Sequence, residues 1–205
     1  MTIRFHRNDL PNLDNYQGDA VAIDTETLGL RPHRDRLCVV QLSPGDGTAD
    51  VVQIAAGQKK APNITALLKN RRITKLFHYG RFDIAVLYNA FGIMAEPVFC
   101  SKIASRLTRT YTDRHGLKDL CNELLGVSLS KVQQSSDWAA EDLSPEQLEY
   151  AASDVLYLHQ LRDKLLARLQ RENRMREAEA CFRFLPTRAR LDLMGWEEED
   201  IFAHS

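Results

Sequence analysis

Four acidic residues stand beside apolar sequence, and they constrain the fold more than any other feature of this chain. Asp24 and Glu26 end one apolar run, and Asp83 directly precedes a second. Asp154 lies between small residues and a third. A carboxylate beside core sequence is unfavourable unless it is paired or binds a metal ion. We therefore expect the fold to bring these scattered acids together around hard divalent cations.

The first half of the chain has the pattern of a β-sheet with short helices. Residues 19–26, 36–43 and 48–54 are predicted strands, and the Pro-Gly-Asp-Gly turn between the last two favours an antiparallel meander. Four further elements follow, namely a helix over 64–70, a strand over 73–78, a helix over 81–91 and a strand over 97–100.

The second half of the chain is predicted to be mostly helical. Helices are expected over 101–109 and over 117–125, where Gly126 is a plausible C-cap. Ser144 followed by Pro145 is a strong helix start, and this helix is expected to continue to about residue 170. A last helix is expected over 174–184, stopped by Pro186. The order of elements predicts an α/β fold in which the meander comes first and the helices last.

Length and composition favour one globular domain over residues 1–205. The chain has 205 residues, of which 44% are hydrophobic and 27% charged, in the ordinary range for such a domain. No apolar stretch is long enough to span a membrane, and the first residues lack the apolar core of a signal peptide. The four cysteines are widely separated, with no Cys-x-x-Cys pair, so we expect reduced thiols and a cytoplasmic protein.

A local excess of basic residues contrasts with the nearly neutral whole. The formal net charge is -1, which does not predict binding along a nucleic-acid duplex. Between residues 101 and 118, however, a single acid, Asp113, accompanies five basic residues: Lys102, Arg106, Arg109, Arg114 and Lys118. This stretch suits a small anionic ligand, although a solvated helix face explains any one of these residues equally well.

The spacing of the acids fits a site for two metal ions. Asp24 and Glu26 are two residues apart, so on a strand both side chains point to the same face. Tyr150 and Asp154 are four apart and share one face of the predicted helix. Two Mg²⁺ or Mn²⁺ ions, roughly 3.5–4 Å apart, can serve an in-line phosphoryl displacement. Taken singly, Asp24 could end a strand and Asp154 could form an ion pair.

Taken together, three motifs resemble those of the DEDD superfamily of 3′-to-5′ exonucleases, which includes ribonuclease D and the proofreading domains of DNA polymerases. Residues 24–26 match the first motif, and His78 with residues 82–83 matches the second. The third motif divides the superfamily, because one branch has His five residues before the last Asp and the other has Tyr four before it. Tyr150 stands four before Asp154, so this chain resembles the tyrosine branch.

The resemblance covers residues 19 to about 170 and implies a ribonuclease-H-like fold, a mixed β-sheet flanked by α-helices, with residues 171–205 as a helical extension. The chain is too short for the additional helical domains of ribonuclease D. The segments 24–36, 135–140 and 201–205 are similar to the nanoRNase C family. That bacterial family degrades very short RNAs, especially 5′-phosphorylated dinucleotides, to mononucleotides, and its members form homo-octameric rings.

The same resemblance implies roles for individual residues. Two divalent ions, Mg²⁺ or Mn²⁺, would be bound by the four acids, with Asp83 acting directly or through water, and Tyr150 would orient the attacking water. Predicted substrate contacts are Thr25, Leu30 as a wedge between two bases, His78, Trp138 beside the polar residues 133–136, and a basic residue for the 5′-phosphate. The candidates for that phosphate contact are Arg106, Arg109, Arg114 and Lys118.

Several alternatives remain open at the level of sequence. Leu30 and Trp138 could be ordinary core residues, and His78 a core histidine with its hydrogen bonds satisfied. A ribonuclease-D-like enzyme that trims longer RNA, or an exonuclease that degrades DNA, would carry the same motifs, because the metal site acts on the phosphodiester and not on the base. A non-catalytic RNA-binding module would not need all four acids together with Tyr150.

Overall fold

A six-stranded mixed sheet forms the centre of the computed structural model, which describes residues 2–130, 132–133 and 135–204. The strand order is β1-β4-β3-β2-β5-β6, and β3 runs antiparallel to both of its neighbours while the other pairs are parallel. The strands are β1 (Thr2–Arg7), β2 (Ala20–Thr27), β3 (Leu37–Ser43), β4 (Thr48–Gln53), β5 (Thr74–Phe77) and β6 (Val98–Cys100).

The predicted meander is confirmed, and one strand outside the prediction joins it. β2, β3 and β4 pair antiparallel in sequence order. The additional strand β1 pairs parallel with β4 at the edge of the sheet. Its sequence alternates Ile3 and Phe5 with Arg4 and His6, a strand pattern too short to stand out. Its pairing depends on β4, which is more than forty residues away.

Seven α-helices accompany the sheet in the described part of the chain. α5 packs against β2, β3 and β4, whereas α6 packs against β2, β5 and α3, and α7 packs against α2 and β6. The helices are α1 (Pro62–Lys69), α2 (Arg81–Phe91), α3 (Ser101–Thr108), α4 (Leu117–Leu120), α5 (Pro145–Leu156), α6 (Leu158–Arg171) and α7 (Met175–Leu191). Turns of π-helix over Cys121–Leu125 and Asp192–Trp196 extend α4 and α7. The mixed sheet flanked by helices confirms the predicted fold class.

The single long helix predicted from Pro145 to about residue 170 is wrong, because the structure divides it at Tyr157. The Ser144 cap is present as a full capping box with Gln147, so the predicted start is confirmed. Tyr157 has φ −104° and ψ −4°, outside regular helical geometry. Both helices contact β2, but α5 also packs on β3 and β4, whereas α6 packs on β5 and α3. Local sequence carries no sign of the interruption at Tyr157.

The predicted helix stop at Pro186 is also wrong, because α7 continues to Leu191. A proline inside a helix removes one backbone hydrogen bond and crowds the preceding turn, at a cost of about 3 kcal/mol. Here Pro186 is itself buried, next to Leu185 and Ala189 on the packed face of the helix. Beyond it, Asp192 accepts hydrogen bonds from both Arg81 and Arg188. Tertiary packing and this ion-pair network offset the local penalty.

The motif residues lie at the edge of the sheet that is formed by the carboxyl ends of the central strands β2 and β5. Asp24 and Glu26 occupy the end of β2, and β5 leads through a short turn into α2, which carries Asp83 in its first turn. α5 crosses β2 and contributes Tyr150 and Asp154. The carboxyl ends of parallel strands are the usual place for ligands in α/β folds. Among the described residues, no helix has the length and apolar character needed to cross a membrane.

Candidate active site

Three of the four predicted acids meet at this edge of the sheet. Carboxylate oxygens of Asp24, Glu26 and Asp154 all lie within 4.8 Å of one another. Asp24 and Glu26 point to the same face of β2 because they are two residues apart on a strand. Asp154 reaches them from α5 because that helix packs across β2. The structure therefore brings together residues that are more than 120 positions apart in sequence.

Asp83 is held beside this group through Thr25. The Thr25 hydroxyl donates a hydrogen bond of 2.7 Å to Oδ1 of Asp83, and both residues are buried. Thr25, a predicted substrate contact, lines the pocket of the acids, and its hydroxyl is directed to this carboxylate. The charge of Asp83 raises the pKa of Asp24, and the charge of Asp154 raises the pKa of Asp83, so these acids lie close enough to interact. Thr25 thus orients the fourth acid.

The acids repel one another strongly in this arrangement. Burial, together with repulsion from Asp83, Asp154 and Glu26, raises the pKa of Asp24 well above its ordinary value. Burial also raises the pKa of Glu26 to about 9, with repulsion from Asp154 and Asp83 in the same direction. The pKa of Asp83 is raised to about 7 by burial, although the Thr25 hydrogen bond opposes the change. The shifts show that burial and the close approach of these acids disfavour their charged forms.

This donor set fits divalent metal ions. Its ligand atoms are carboxylate oxygens, which hard cations such as Mg²⁺ and Mn²⁺ prefer. The three converging carboxylates are close enough to share an ion, and the raised pKa values show that positive charge at this place would be favourable. Asp24, Glu26 and Asp154 are the residues that would hold such ions, with Asp83 beside them.

Tyr150 lies over the acids and keeps its proton. Burial, with repulsion from Asp154, Glu26 and Asp24, raises the pKa of Tyr150 far above neutrality, and a hydrogen bond to Asp154 contributes in the same direction. Its ring packs against Trp138, with ring centroids 5.9 Å apart. A phenol that stays protonated can orient a water molecule through a hydrogen bond, but it cannot accept a proton at neutral pH. This favours the orienting role.

Trp138 supports Tyr150 and does not offer a free face to a base. Only 3% of its surface is exposed, so its ring is part of the packed interior. The indole Nε1 has no hydrogen-bond partner among the residues that the structure describes. Ser135 and Ser136, from the predicted ligand-facing loop, line a pocket that the acids also line, whereas Gln134 lies outside the described residues.

Leu30 projects into a pocket of about 680 Å³ that contains the acid cluster. The residue is 84% exposed, which excludes the alternative that it is an ordinary core leucine. Leu28, which the sequence did not single out, lines the pocket beside it and is 56% exposed. Exposed apolar side chains in a cleft are typical of contact surfaces. A side chain at Gly29, between them, would require the Asp35 carboxylate to move, because a Cβ there would lie 2.4 Å from it.

His78 lies in the turn between β5 and α2, and a hydrogen bond fixes the orientation of its ring. Its Nδ1 lies 2.9 Å from the Ser101 hydroxyl, which itself donates a hydrogen bond to the Phe77 carbonyl. Ser101 therefore accepts from Nδ1–H, and the other ring nitrogen, Nε2, is left as an acceptor. Burial and the charge of Lys102 lower the pKa of His78 to about 3, so the ring is neutral at physiological pH. His78 lines the pocket with the acids.

The basic stretch divides into residues inside and outside the pocket. Lys102 and Lys118 line the pocket, whereas Arg106, Arg109 and Arg114 do not. The guanidinium of Arg109 is buried and hydrogen-bonded to Glu123, Ser105 and the Arg114 carbonyl. Arg114 is exposed and lies 3.6 Å from Asp119.

Arg109 consequently stabilises the loop that precedes Lys118 and has no free donors to offer a substrate in the pocket. Its partners belong to α3, to the loop before α4 and to the π-helical turn after α4. Sequence reasoning weighed all basic residues alike, since a helix face and a charge count do not show which side chains the tertiary fold buries. Only Lys118 of the four predicted phosphate contacts lines the pocket.

Solved structures that are similar to this chain include two that cover it completely. A structure of Brucella melitensis NrnC with bound Mg²⁺ is 76% identical, has a TM-score of 0.97 and matches 100% of both chains. A structure of Brucella melitensis NrnC bound to pGG is 77% identical, has a TM-score of 0.98 and also matches 100% of both chains.

A family model described as a 3′-5′ exonuclease matches residues 8–170. A curated ribonuclease D from Acidiphilium cryptum is 36% identical over 155 residues, which cover 76% of this chain and 39% of that protein. The chain thus spans about two fifths of the length of the curated relatives it matches.

Proposed function

Because this chain belongs to the nanoRNase C family of 3′-5′ exonucleases, we propose that it hydrolyses short oligoribonucleotides, especially 5′-phosphorylated dinucleotides, to nucleoside 5′-monophosphates. The observation that carries the proposal is the meeting of Asp24, Glu26 and Asp154 within 4.8 Å in the lining of the pocket. The relative whose structure was solved with pGG is 77% identical in sequence to this chain.

The acid cluster and Tyr150 divide the chemistry between them. When bound, two divalent ions would activate the attacking water and stabilise the leaving oxygen of the phosphodiester. Asp24, Glu26 and Asp154 hold the ions in place, and Thr25 keeps Asp83 turned toward them through its hydrogen bond. Tyr150, which remains protonated, directs a water molecule toward the phosphorus by hydrogen bonding.

The preference for very short RNA is supported by the shape of the pocket. A volume of about 680 Å³ suits a small ligand and not a long strand. The exposed Leu30 is placed to separate the two bases of a dinucleotide, and the Leu28 side chain extends the same apolar surface. Stacking of a base on protein contributes roughly 1–3 kcal/mol, which compensates for the base–base stacking that the wedge disrupts.

A length series tests this function directly. RNAs of two to about seven nucleotides, each with a 5′-phosphate, are incubated with Mg²⁺ or Mn²⁺ and their kcat/KM values are compared. We expect the dinucleotide to have the highest kcat/KM and each reaction to yield mononucleotides. Equal kcat/KM for the dinucleotide and the longest RNA contradicts the length preference, and cleavage of none of them contradicts the activity.

Trimming of longer RNA is the second candidate function, because the curated relatives at 36% and 35% identity are ribonuclease D proteins. The same length series separates the two, since a ribonuclease-D-like enzyme shortens long RNA stepwise. Matched deoxyribonucleotides test the degradation of DNA. His78 offers Nε2 as an acceptor for a substrate hydroxyl, so we expect DNA dinucleotides, which lack the 2′-hydroxyl, to react more slowly.

We further propose that the chain assembles as a homo-octamer through its helical extension over residues 171–205. Phe202 packs on Phe184 with ring centroids 5.7 Å apart, which shows that the tail folds back on α7. Even so, Phe202 is 77% exposed and Met194 is 58% exposed. Such exposed apolar groups are typical of contact surfaces. Light scattering of the wild type and of a deletion of residues 196–205 tests the proposal, and a monomeric wild type contradicts it.

The cytoplasm is the compartment that we propose for this protein. All four cysteines are free, and Cys38, Cys100 and Cys121 are buried as small apolar side chains. Structural thiols of this kind persist where the environment is reducing. Fractionation of cells that express a tagged full-length chain checks the proposal, and recovery outside the cytoplasm contradicts it.

A further inference from the structure

Tyr79 has a backbone conformation that its residue type disfavours. Its φ is +62°, in the left-handed region, at the turn between β5 and α2. Glycine and asparagine adopt this region readily, whereas a Cβ-bearing aromatic residue there is strained. The next residue, Gly80, has no room for a side chain, because a Cβ there would lie 2.6 Å from the Cβ of Phe77. Within this turn, Tyr79 is the residue whose side chain is unfavourable for its backbone conformation.

The strained turn presents the Tyr79 ring to the pocket. The residue is 46% exposed and lines the same pocket as the acid cluster, Leu30 and His78. Residues held in strained conformations cluster at functional sites, where the surrounding structure maintains them. The other aromatic candidate for stacking, Trp138, is buried against Tyr150. Of the described aromatic residues that line the pocket, Tyr79 is the most exposed.

Lys102 completes the arrangement from the first turn of α3. Its ammonium nitrogen lies 4.5 Å from the centre of the Tyr79 ring, within the range of a cation–π contact. The described charged residues that line the pocket are the four acids on one side and only Lys102 and Lys118 on the other. A phosphate group is repelled by the acids unless metal ions are bound, and it is attracted by the two ammonium groups. The ring thus holds one of these two cations in a fixed position.

We propose that Tyr79 and Lys102 form one nucleotide-binding element, in which the exposed ring stacks on a base of the substrate and the ammonium contacts a phosphate oxygen. A base, being planar, can stack on an aromatic ring whatever its identity, so this element favours nucleotides without selecting a sequence. The inference rests on the proposed function, because it takes the pocket to bind a nucleotide.

The test uses the strain itself to separate a binding role from a structural one. Tyr79→Asn removes the ring and places at the turn a residue that tolerates the left-handed conformation. We expect this variant to have a Tm equal to or above that of the wild type, and a KM for the 5′-phosphorylated dinucleotide that is about 10- to 100-fold higher. Its kcat should stay within about threefold, because the reacting groups are untouched. Tyr79→Phe, which keeps the ring, should have the KM of the wild type.

Lys102 has its own readout. Lys102→Met keeps the apolar stem and removes the charge, so it should raise KM about tenfold and reduce the slope of log affinity against log salt concentration by about 0.7. Lys69→Met removes an exposed charge at the end of α1, away from the lining of the pocket, and should leave both quantities unchanged. An unchanged salt slope for Lys102→Met overturns the phosphate contact.

The remaining outcomes also decide the inference. A KM for Tyr79→Asn equal to that of the wild type overturns the stacking role. A Tm clearly below that of the wild type shows that the ring serves the fold, and this also overturns the proposal. The substrate-length profile of the wild type tests the proposed function separately. If longer RNA proves to be the better substrate, the same KM comparison on that RNA still decides the role of Tyr79.

Discussion

Two regions of this molecule bury a carboxylate to the same degree and treat it in opposite ways. Asp50 on β4 is 2% exposed and Asp83 on α2 is 3% exposed. Burial alone would raise the pKa of Asp50, but hydrogen bonds from Arg4, Tyr16 and His6 lower it below the ordinary value. Burial raises the pKa of Asp83 to about 7, and the side chain that donates a hydrogen bond to it carries a neutral hydroxyl.

The difference shows how a structural acid can be distinguished from a functional one. Asp50 joins β1 to β4 and receives positive charge from the protein itself. Asp24, Glu26 and Asp83 lie close to Asp154, and the repulsion among these acids adds to burial in raising the pKa values. Buried acids whose pKa values are raised by one another are typical of catalytic or metal-binding sites. Burial alone therefore does not distinguish a structural acid from a functional one, whereas the charge of the groups around it does.

The largest expected effect separates these two regions by activity. Asp24→Asn keeps the shape of the side chain and removes a charge that, under the proposed function, would hold the metal ions. We expect kcat to fall by about 10³-fold or more, beyond the 10- to 100-fold losses found when groups that only support a metal ligand are removed. Asp50→Asn is the control, since it makes the same chemical change at a buried acid that does not line the pocket, and its kcat should stay within about twofold of the wild type. Near-normal turnover by Asp24→Asn in Mg²⁺ would refute its role.

Tyr150→Phe tests the group that lies over the functional acids. It deletes only the hydroxyl, and the ring can still pack against Trp138. Positioning and acid–base groups typically contribute about 10²–10⁴-fold, so kcat should fall by that amount while KM changes little. Steady-state kinetics on the dinucleotide measure both constants. A raised KM with unchanged kcat would make Tyr150 a binding residue.

The structural acid should reveal itself in stability. Asp50→Ala leaves Arg4, His6 and Tyr16 without their shared acceptor at the edge of the sheet. Lost hydrogen bonds of this kind reduce the free energy of unfolding by about 1–3 kcal/mol, which for a chain of this size lowers Tm by roughly 2–12 °C. Differential scanning fluorimetry measures the change. An unchanged Tm would show that β1 pairs with β4 without help from Asp50.

The smallest expected effect is a pH dependence of opposite sign in the two regions, measured in a metal chelator. The pKa of Glu26 is about 9 in the folded chain against 4.5 ordinarily, so between these values the unfolded chain releases a proton that the folded chain keeps, and the fold is destabilised increasingly as pH rises. Glu26→Gln, which has no such proton, should therefore gain in Tm over the wild type on going from pH 5.5 to pH 8.5.

The pKa of Asp50 is lowered, so its contribution is present above the ordinary value of 3.8 and is lost as pH falls below it. Asp50→Asn should differ most from the wild type near neutral pH and least in acid. The opposite trend at either residue would contradict the comparison between the two regions. Divalent ions should reduce the pH dependence at Glu26 and leave that at Asp50 unchanged.

The sequence by itself determined the meander, the family, the order of the four acids and the spacing that puts Asp24 with Glu26, and Tyr150 with Asp154, on common faces. The meander and the shared faces follow from the periods of strands and helices, which are local and independent of distant contacts, whereas the family followed from the resemblance of the motifs. The exposure of Leu30 agrees with the predicted wedge, although its role is still a prediction.

Only the tertiary structure decided which polar and aromatic side chains face the pocket. It buried Arg109 and Trp138, turned Thr25 toward Asp83, and presented Tyr79 and Lys102 to the site. It also added β1, divided the long helix at Tyr157 and carried α7 through a proline. Each of these outcomes depends on partners far away in sequence, and the free energy of such packing exceeds the local preferences from which a single sequence is interpreted.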